Sequence, residues 1–390
     1  MKVAVMMRAM DRDTGFRTLT ESWVEAMVRD STVSFVLLYR TRKWLGRFAD
    51  HSNVREILVE SRSALFWDQV HVPYRAWLER ADVIFDPKFF VPLVSHCPVT
   101  MGLQEPSWFT RPHEYSTLDR WYQRIMIPIS IRRCAHVFPN SRFILEENRR
   151  VLKLPIAHAT VAYSAPDARF APVADADALE AFRRELDLPA RFALVPTRVL
   201  HGNRDDLFFP GKSPEVAYRA FLRIRDRVDA ELVFAGHRVR EHLEHVEGRG
   251  ADFRRVRFIP FVPFERLPLL YNLADAVVNP CVYEGCPNTV LQAMACGRPL
   301  VVADAGGSAD VAAGAALRAR ALDEADLADK LLAVLTSAEV RAGLSAASLR
   351  RAADFSWEAT ARDTLAALRR VVERDGAHAN GAVLDDAPQG

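Results

Sequence analysis

The sequence predicts an α/β protein made of two domains in tandem, each built around a mostly parallel sheet. Three observations carry that reading. Short apolar runs alternate with stretches of helical periodicity in both halves, the pattern of strand–helix–strand units. The alternation breaks once, near Tyr163, into the Pro-, Ala- and Asp-rich "SAPDARFAPVADADAL", and restarts at Arg191. A chain of 390 residues also exceeds what one hydrophobic core commonly supports.

Taken in order, "KVAVMM" is the first strand, and "LTESWVEAMV" follows as a helix with Leu19, Trp23, Ala26 and Met27 near helical spacing. "VSFVLLY", "DVIFDP", "PVTMGL" and "HVFPN" read as further buried strands, with "LDRWYQRIMIPISIRRC" and "SRFILEENRRVL" as helices among or after them. The junction falls between Ser164 and Leu188 and contains a helix, "ADALEAFRRELDL".

The second half repeats the style. "RFALVPT" is a strand, and "SPEVAYRAFLRIRDR" a helix with Ser213 as N-cap and Pro214 in its first turn. "AELVFAG" and "VRFIPFV" are strands flanking another helix. "FERLPLLYNLA" is a helix, "DAVVNP" a strand, "VLQAMAC" a helix stopped by Gly297, and "RPLVV" the returning parallel strand. "EADLADKLLAVLT" and "AEVRAGLSAASLRRAA" close the domain, and "WEATARDTLAALRRVVE" is one more amphipathic helix. The tail "DGAHANGAVLDDAPQG" lacks aromatics and periodicity and is expected to be disordered. These boundaries give a first domain over 1–168, a second over 169–354, a closing helix over 355–374 and a tail over 375–390. Two such domains leave a cleft, and parallel sheets bind ligands at the carboxyl ends of their strands.

Composition excludes several classes. With 52 basic against 50 acidic residues, no nucleic-acid partner is expected. Cys97, Cys134, Cys281, Cys286 and Cys296 form no CxxC pair, an arrangement that suits reduced thiols. No run approaches the ~20 apolar residues of a spanning helix. The expected location is the cytoplasm, with contact at the inner face of a membrane left open. "RWYQRIMIPISIRRC" has two readings: an interfacial helix mixing Arg with Trp, Tyr and Ile, or a core-packed helix with a solvated Arg face, the simpler expectation. The acidic "DAD" at 175–177 and "RDD" at 204–206 read as solvated loops, so no metal and no cofactor are expected.

One stretch has the grammar of a ligand site. In "NPCVYEGCPNTVLQAMACGRPLVVADAGG", Asn279 to Gly307, the carboxylate of Glu284 sits in a loop that opens a helix of small residues. The backbone N–H groups across Pro287, Asn288, Thr289 and Val290 (three donors, since Pro has none) lie at the helix N-terminus and suit a phosphate. Glu284 can accept two hydroxyl hydrogen bonds, as a sugar would offer. Gln292, one turn in, is either buried packing or a partner for another hydroxyl.

That stretch resembles the donor-site signature of the retaining GT-B glycosyltransferases of family 4, the glycosyl transferases group 1, written E-x7-E within "EGfglp-x-lEAmAcGxPvv". "LPLLYNLADAVVNP", "FSWEATARDTLAALRRV", "HVFPNSRFILEE" and "VAYSAPDARFAP" resemble other parts of that family, strongly after Arg191 and weakly before Pro98. The resemblance implies two Rossmann-like domains facing a cleft, with the C-terminal helix crossing back to the N-terminal domain. It implies an acceptor-binding first domain and a nucleotide-sugar-binding second domain. Glu284 matches the glutamate that contacts donor-sugar hydroxyls; Gln292 stands where a second glutamate holds the ribose. Gly285, Cys286, Pro287, Asn288, Thr289 and Val290 fill the donor loop and helix start.

Arg198 and Lys212, in "PTRVLHGNRDDLFFPGKSPEVAYRAF", match the cations over the diphosphate, with Arg204 the substitute for Arg198 across a long insertion. Such cations stabilise the charge that a leaving nucleoside diphosphate gains. Gly15 falls where the family brings glycine close to the diphosphate, although a simple turn also explains it. Where the family has a His-Asp pair, this chain reads "GLQEPSW", putting Glu105 and Pro106 there. Two readings of Glu105 stand even: an acceptor- or donor-binding carboxylate or base, or a salt-bridged loop residue. Gly306 and Gly307 are expected to form a turn, with Asp310 where the family has Glu.

The implied activity is metal-independent transfer of a sugar from a nucleotide-diphosphate sugar to a glycan, lipid-linked or small-molecule acceptor, as in polysaccharide biosynthesis. Retention in the family is thought to need no protein nucleophile. The alternatives are a nucleotide-sugar epimerase or hydrolase on the same fold, and a catalytically weak partner subunit.

Overall fold

Among the described residues of the computed structural model every strand pairing is parallel, and the strands form two six-stranded sheets. The residues described are 1–11, 15–110, 117–197, 212–259 and 261–384. They divide into two units: 1–164 together with the chain from 356 onward, and 165–355.

In the first unit β1 (Lys2–Met6), β2 (Ser34–Tyr39), β3 (Val54–Leu58), β4 (Val83–Asp86), β5 (Val99–Leu103) and β6 (His136–Pro139) lie in the order β3-β2-β1-β4-β5-β6. The inner strands are Val-, Ile-, Leu- and Phe-rich and buried along almost their whole length, as parallel strands covered on both faces must be. One face packs beneath the helix Gly15–Val28 and the closing helix Trp357–Leu384. These meet where the Trp23 indole N–H donates to Thr364 Oγ1 at 3.1 Å, above buried Leu365 and Leu368. The other face carries Ala64–Phe66, a π-helical turn Trp67–His71, the helix Val72–Leu78, and the helix Thr117–Arg133.

The second unit repeats the plan. β7 (Phe192–Pro196), β8 (Glu231–Ala235), β9 (Val256–Ile259), β10 (Ala276–Asn279), β11 (Leu300–Ala303) and β12 (Ala316–Ala319) lie in the order β12-β11-β10-β7-β8-β9. Strand order therefore reverses between β1 and β4 in one sheet and between β7 and β10 in the other. Such a reversal opens a crevice at the carboxyl ends of the two central strands.

Several expectations change. β3 and β12 escaped the sequence reading because "VREIL" and "ALRA" are not apolar runs; both are sheet edges, with one side unpaired. The helical segment over 64–78 was also missed. Ser213 holds the N-cap position without making a capping bond, since it adopts φ 46° and its side chain does not reach the helix donors. The closing helix runs to Leu384, well past 374, because Ala-rich sequence propagates a helix already anchored upstream. Gly306 and Gly307 begin a helix, Gly306–Ala312, instead of forming a free turn. The helix Thr117–Arg133 buries Ile127 and Ile131 but leaves Trp121, Ile125 and Ile129 exposed, so its outer face is not simply a solvated Arg face. All five cysteines are free.

Candidate functional site

The site in the second unit grows from the reversal between β7 and β10. β10 ends on Asn279, which is buried and bonds in two directions: its Oδ1 accepts the Cys281 N–H at 2.9 Å, and its Nδ2 donates to Thr289 Oγ1 at 2.9 Å. This one amide turns the chain out of the sheet and fastens the loop to the start of the helix Asn288–Ala295. The loop in between carries Glu284.

Lys212 approaches from the other side of the reversal, after β7 and two residues before the helix Pro214–Leu222. Its Nζ donates to Glu284 Oε1 at 2.7 Å, a charge-assisted bond between partly exposed groups. The second carboxylate oxygen, Oε2, is buried and has no nitrogen or oxygen partner among the described residues, with the Cys281 thiol beside the carboxylate. Buried acceptors are almost always satisfied, so an orphan in a loop at a strand's carboxyl end is an opening for an incoming donor.

Gly307 locks the loop from behind. Its N–H donates to the Glu284 carbonyl at 2.7 Å. A Cβ built on it would stand 1.7 Å from the Gly285 oxygen, so only glycine fits. Gly306 holds φ +58° and lies equally close to the loop, where a Cβ would meet the Val282 oxygen at 3.1 Å. The pair therefore buttresses the Glu284–Gly285 backbone. The helix they open is tied down at its far end, where Arg351 donates to the carbonyls of Val311 and Asp310 at 2.9 and 3.3 Å.

The mouth of Asn288–Ala295 is narrower in donors than the sequence implied. Val290 spends its N–H on the Pro287 carbonyl at 3.1 Å, and its side chain is core. The N–H groups of Asn288 and Thr289 keep no acceptor among the described residues. Pro287 occupies the N-cap position and makes no side-chain cap. Gln292 is partly buried, and its Oε1 accepts the Tyr271 hydroxyl at 3.0 Å. Tyr271 itself is buried, and that burial holds its hydroxyl well above the usual tyrosine range, as a neutral donor. Burial likewise pushes the Cys281 thiol up to about 12 and Cys296 to about 12, so neither is a thiolate at neutral pH.

The structure thus brings Lys212, Glu284, Gly285, Cys286, Pro287, Asn288, Thr289, Val290 and Gln292 into one neighbourhood of the second unit. Arg198 and Arg204 lie outside the described residues. Gly15 and Glu105 belong to the first unit: Gly15 is the first residue of Gly15–Val28, and Glu105 follows β5, partly exposed. Sequence reading missed Asn279, Tyr271 and the contact of Gly307 with the loop. Only the glycine pair left a local signal.

The first unit has a charged cluster at its own reversal that no motif announced. Arg8, just after β1, pairs with the buried Asp68. Asp86 closes β4 and accepts the Phe90 and Lys88 N–H groups at 2.8 and 3.2 Å. Burial pushes Asp68 up to about 7, against the pull of Arg8, and Asp86 up to about 6. Asp68 Oδ1 is buried without a partner among the described residues.

Known proteins resemble this chain in sequence and in fold. Residues 206–337 match the family described as glycosyl transferases group 1. The chain is 32% identical over 181 residues to a D-inositol 3-phosphate glycosyltransferase of Kribbella flavida, covering 42% of each protein. It is 26% identical over 332 residues to O-antigen chain mannosyltransferase B of Escherichia coli, covering 83% of each. The inositol-phosphate relatives are matched over less than half of their own length. Among solved structures, a glycosyltransferase from Rickettsia africae superposes with a TM-score of 0.72 at 11% identity, covering 95% of this chain and 98% of that one. Anabaena HepE in complex with UDP-glucose superposes with a TM-score of 0.65 at 14% identity, covering 97% of this chain and all of that one. The chain therefore has the two-domain α/β fold of GT-B glycosyltransferases, and residues 206–337 resemble the glycosyl transferases group 1.

Proposed function

We propose that this protein transfers a sugar from a nucleotide-diphosphate donor to a hydroxyl of a glycan, lipid-linked or small-molecule acceptor, with retention at the anomeric carbon. The observation that carries the reading is the Lys212–Glu284 pair, set across the β7/β10 reversal, with Glu284 Oε2 buried and without a nitrogen or oxygen partner among the described residues. A donor-sugar hydroxyl would satisfy that oxygen. The diphosphate would meet Lys212, the N–H groups of Asn288 and Thr289, and Arg198, while Gln292 would accept from the ribose.

In the reaction the acceptor oxygen bonds to the anomeric carbon as the bond to the leaving phosphate oxygen breaks. The acceptor proton passes to a phosphate oxygen, so no protein nucleophile is required. The negative charge left on the nucleoside diphosphate is what the cation and the helix mouth stabilise. The relatives' names, an inositol-phosphate glycosyltransferase and an O-antigen chain mannosyltransferase, favour a polyhydroxylated acceptor, which the first unit would bind through the loops after β1 and β5, Glu105 among them.

The test is a thermal-shift screen against UDP-, GDP-, ADP- and dTDP-sugars, followed by transfer assays with the sugar that binds. Binding of one nucleotide class and transfer to a polyol or glycan is the expected result. Epimerised or hydrolysed donor in the absence of acceptor, or no response to any nucleotide sugar, would overturn it.

A further inference from the structure

The outer face of one layer in the first unit is apolar and basic, and no part of the chain described covers it. The helical segment over 64–78 and the helix Thr117–Arg133 pack against the same core cluster on the same side of the first sheet. The chain between them is pinned to both: Gln69 Oε1 accepts the Leu93 N–H at 2.9 Å, and Arg133 Nε donates to the Leu93 carbonyl at 3.0 Å. Their outward faces therefore look the same way. On that side Phe66, Tyr74 and Trp77 are about half exposed, Trp121 is 60% exposed, and Val94, beside the pinned Leu93, is 80% exposed. Trp121, Ile125 and Ile129 recur every four residues, so they form one stripe along their helix. A patch of this kind on a soluble surface marks an interaction site.

Charge identifies the partner. Arg62 and Arg80 bracket the segment 64–78, and Arg124 and Arg132 flank the Trp121 stripe; all four are exposed, and among the described residues none is in an ion pair. The carboxylates available on the first segment are spent elsewhere, Asp68 on Arg8 and Glu79 on Arg55. Large aromatic and aliphatic side chains ringed by arginine suit the boundary between headgroups and acyl chains, where rings insert and guanidinium groups meet phosphate. No helix among the described residues is long and apolar enough to cross a membrane. We infer that this face docks the protein, as a peripheral contact, on a membrane bearing anionic phospholipid.

The experiment is vesicle co-sedimentation of the full chain, which reads binding and not sugar transfer and so is independent of the proposed reaction. Vesicles of phosphatidylcholine are compared with vesicles containing phosphatidylglycerol, at low and high salt. The expected result is binding to the anionic vesicles only, weakened by salt. Arg124→Glu with Arg132→Glu should weaken it by about tenfold or more, from roughly 1 kcal/mol per basic residue at the surface. Trp77→Ser with Trp121→Ser should abolish it, while Arg184→Glu, on an exposed helix of the second unit, should leave it unchanged. All substituted side chains are exposed, and unchanged circular-dichroism melting confirms folding. Failure of the wild-type chain to sediment with anionic vesicles, or binding indifferent to both double variants, would overturn the inference. So would a dimer in sedimentation velocity that the tryptophan variant dissociates while vesicle binding stays absent.

Discussion

Lys212 Nζ stands 2.7 Å from Glu284 Oε1, across the point where the second sheet reverses its strand order. The two groups come from loops after different strands, β7 and β10, so the ion pair fixes the relative position of two otherwise independent segments. Both are partly exposed, and such a pair contributes at most about 1 kcal/mol to stability. In the proposed reaction its value is larger, because a carboxylate offered to sugar hydroxyls and a cation offered to phosphate would hold each other in place. Glu284→Gln and Lys212→Met should each lower transfer by about a hundredfold or more, the scale of losing one charge-stabilising group, while shifting the melting temperature little. Turnover near the wild-type value in both variants would remove the pair from the reaction.

Gly307 is the position where a single methyl group should do most damage to the same loop. An added Cβ would lie 1.7 Å from the Gly285 oxygen and 2.6 Å from the Glu284 oxygen, so the backbone carrying Glu284 must move. Gly307→Ala should cost about 1–3 kcal/mol as overpacking and abolish donor binding as well. Gly343→Ala is the control, since nothing lies within 4 Å of a Cβ there. It should preserve both donor affinity and stability, as read by calorimetric titration and melting. Equal behaviour of the two variants would show that the glycine pair does not set the loop.

What was readable in the sequence, and what was not, follows from how locally each feature is encoded. Buried central strands announce themselves as apolar runs, and the Glu284 loop with its helix lies in one continuous stretch. β3 and β12 were not readable because these two edge strands carry charged or small residues in place of an apolar run, as Arg55, Glu56 and Arg318 show, whereas the edges β6 and β9 kept apolar runs and were read. The Arg8–Asp68 pair joins residues sixty positions apart, so no local pattern contains it. The same holds for Asn279, whose role depends on Thr289 lying across the loop, and for Tyr271 opposite Gln292. Exposure of Trp121 and Ile125 also depends on which face of their helix the sheet takes, and periodicity alone left two answers.

Gln292 stands where the resembling family has a second glutamate, and Tyr271 now explains how the amide is held. The tyrosine hydroxyl donates to Oε1, and a carboxylate in that place would accept the same bond. Gln292→Glu should therefore fold normally and bind nucleoside diphosphate several-fold more tightly, since hydrogen bonds to a charged acceptor are roughly twice as strong. Gln292→Leu should leave the buried Tyr271 hydroxyl unpaired, at about 1–3 kcal/mol, and weaken nucleotide binding. Titration calorimetry with the nucleotide found in the screen reads both. Looser binding by the glutamate variant would mean that this chain has adapted its pocket to the neutral amide.

The charged cluster of the first unit makes a pH prediction of fixed sign. Burial raises Asp68 to about 7 in the folded protein, against about 3.9 for an unfolded aspartate. Between those values the folded state binds more protons than the unfolded state, so this group makes stability fall as pH rises, and the effect levels off above pH 7. Asp86, raised to about 6, acts in the same direction over a narrower window. Asp68→Asn removes the first contribution and leaves Arg8 without its carboxylate, a loss that carries no pH dependence of its own in this range. The variant's denaturation midpoint, measured from pH 4.5 to 8, should therefore fall less steeply with rising pH than the wild type's. A steeper fall in the variant would mean that Arg8 keeps Asp68 ionised throughout, and that the pair is a plain salt bridge instead of a proton-holding one.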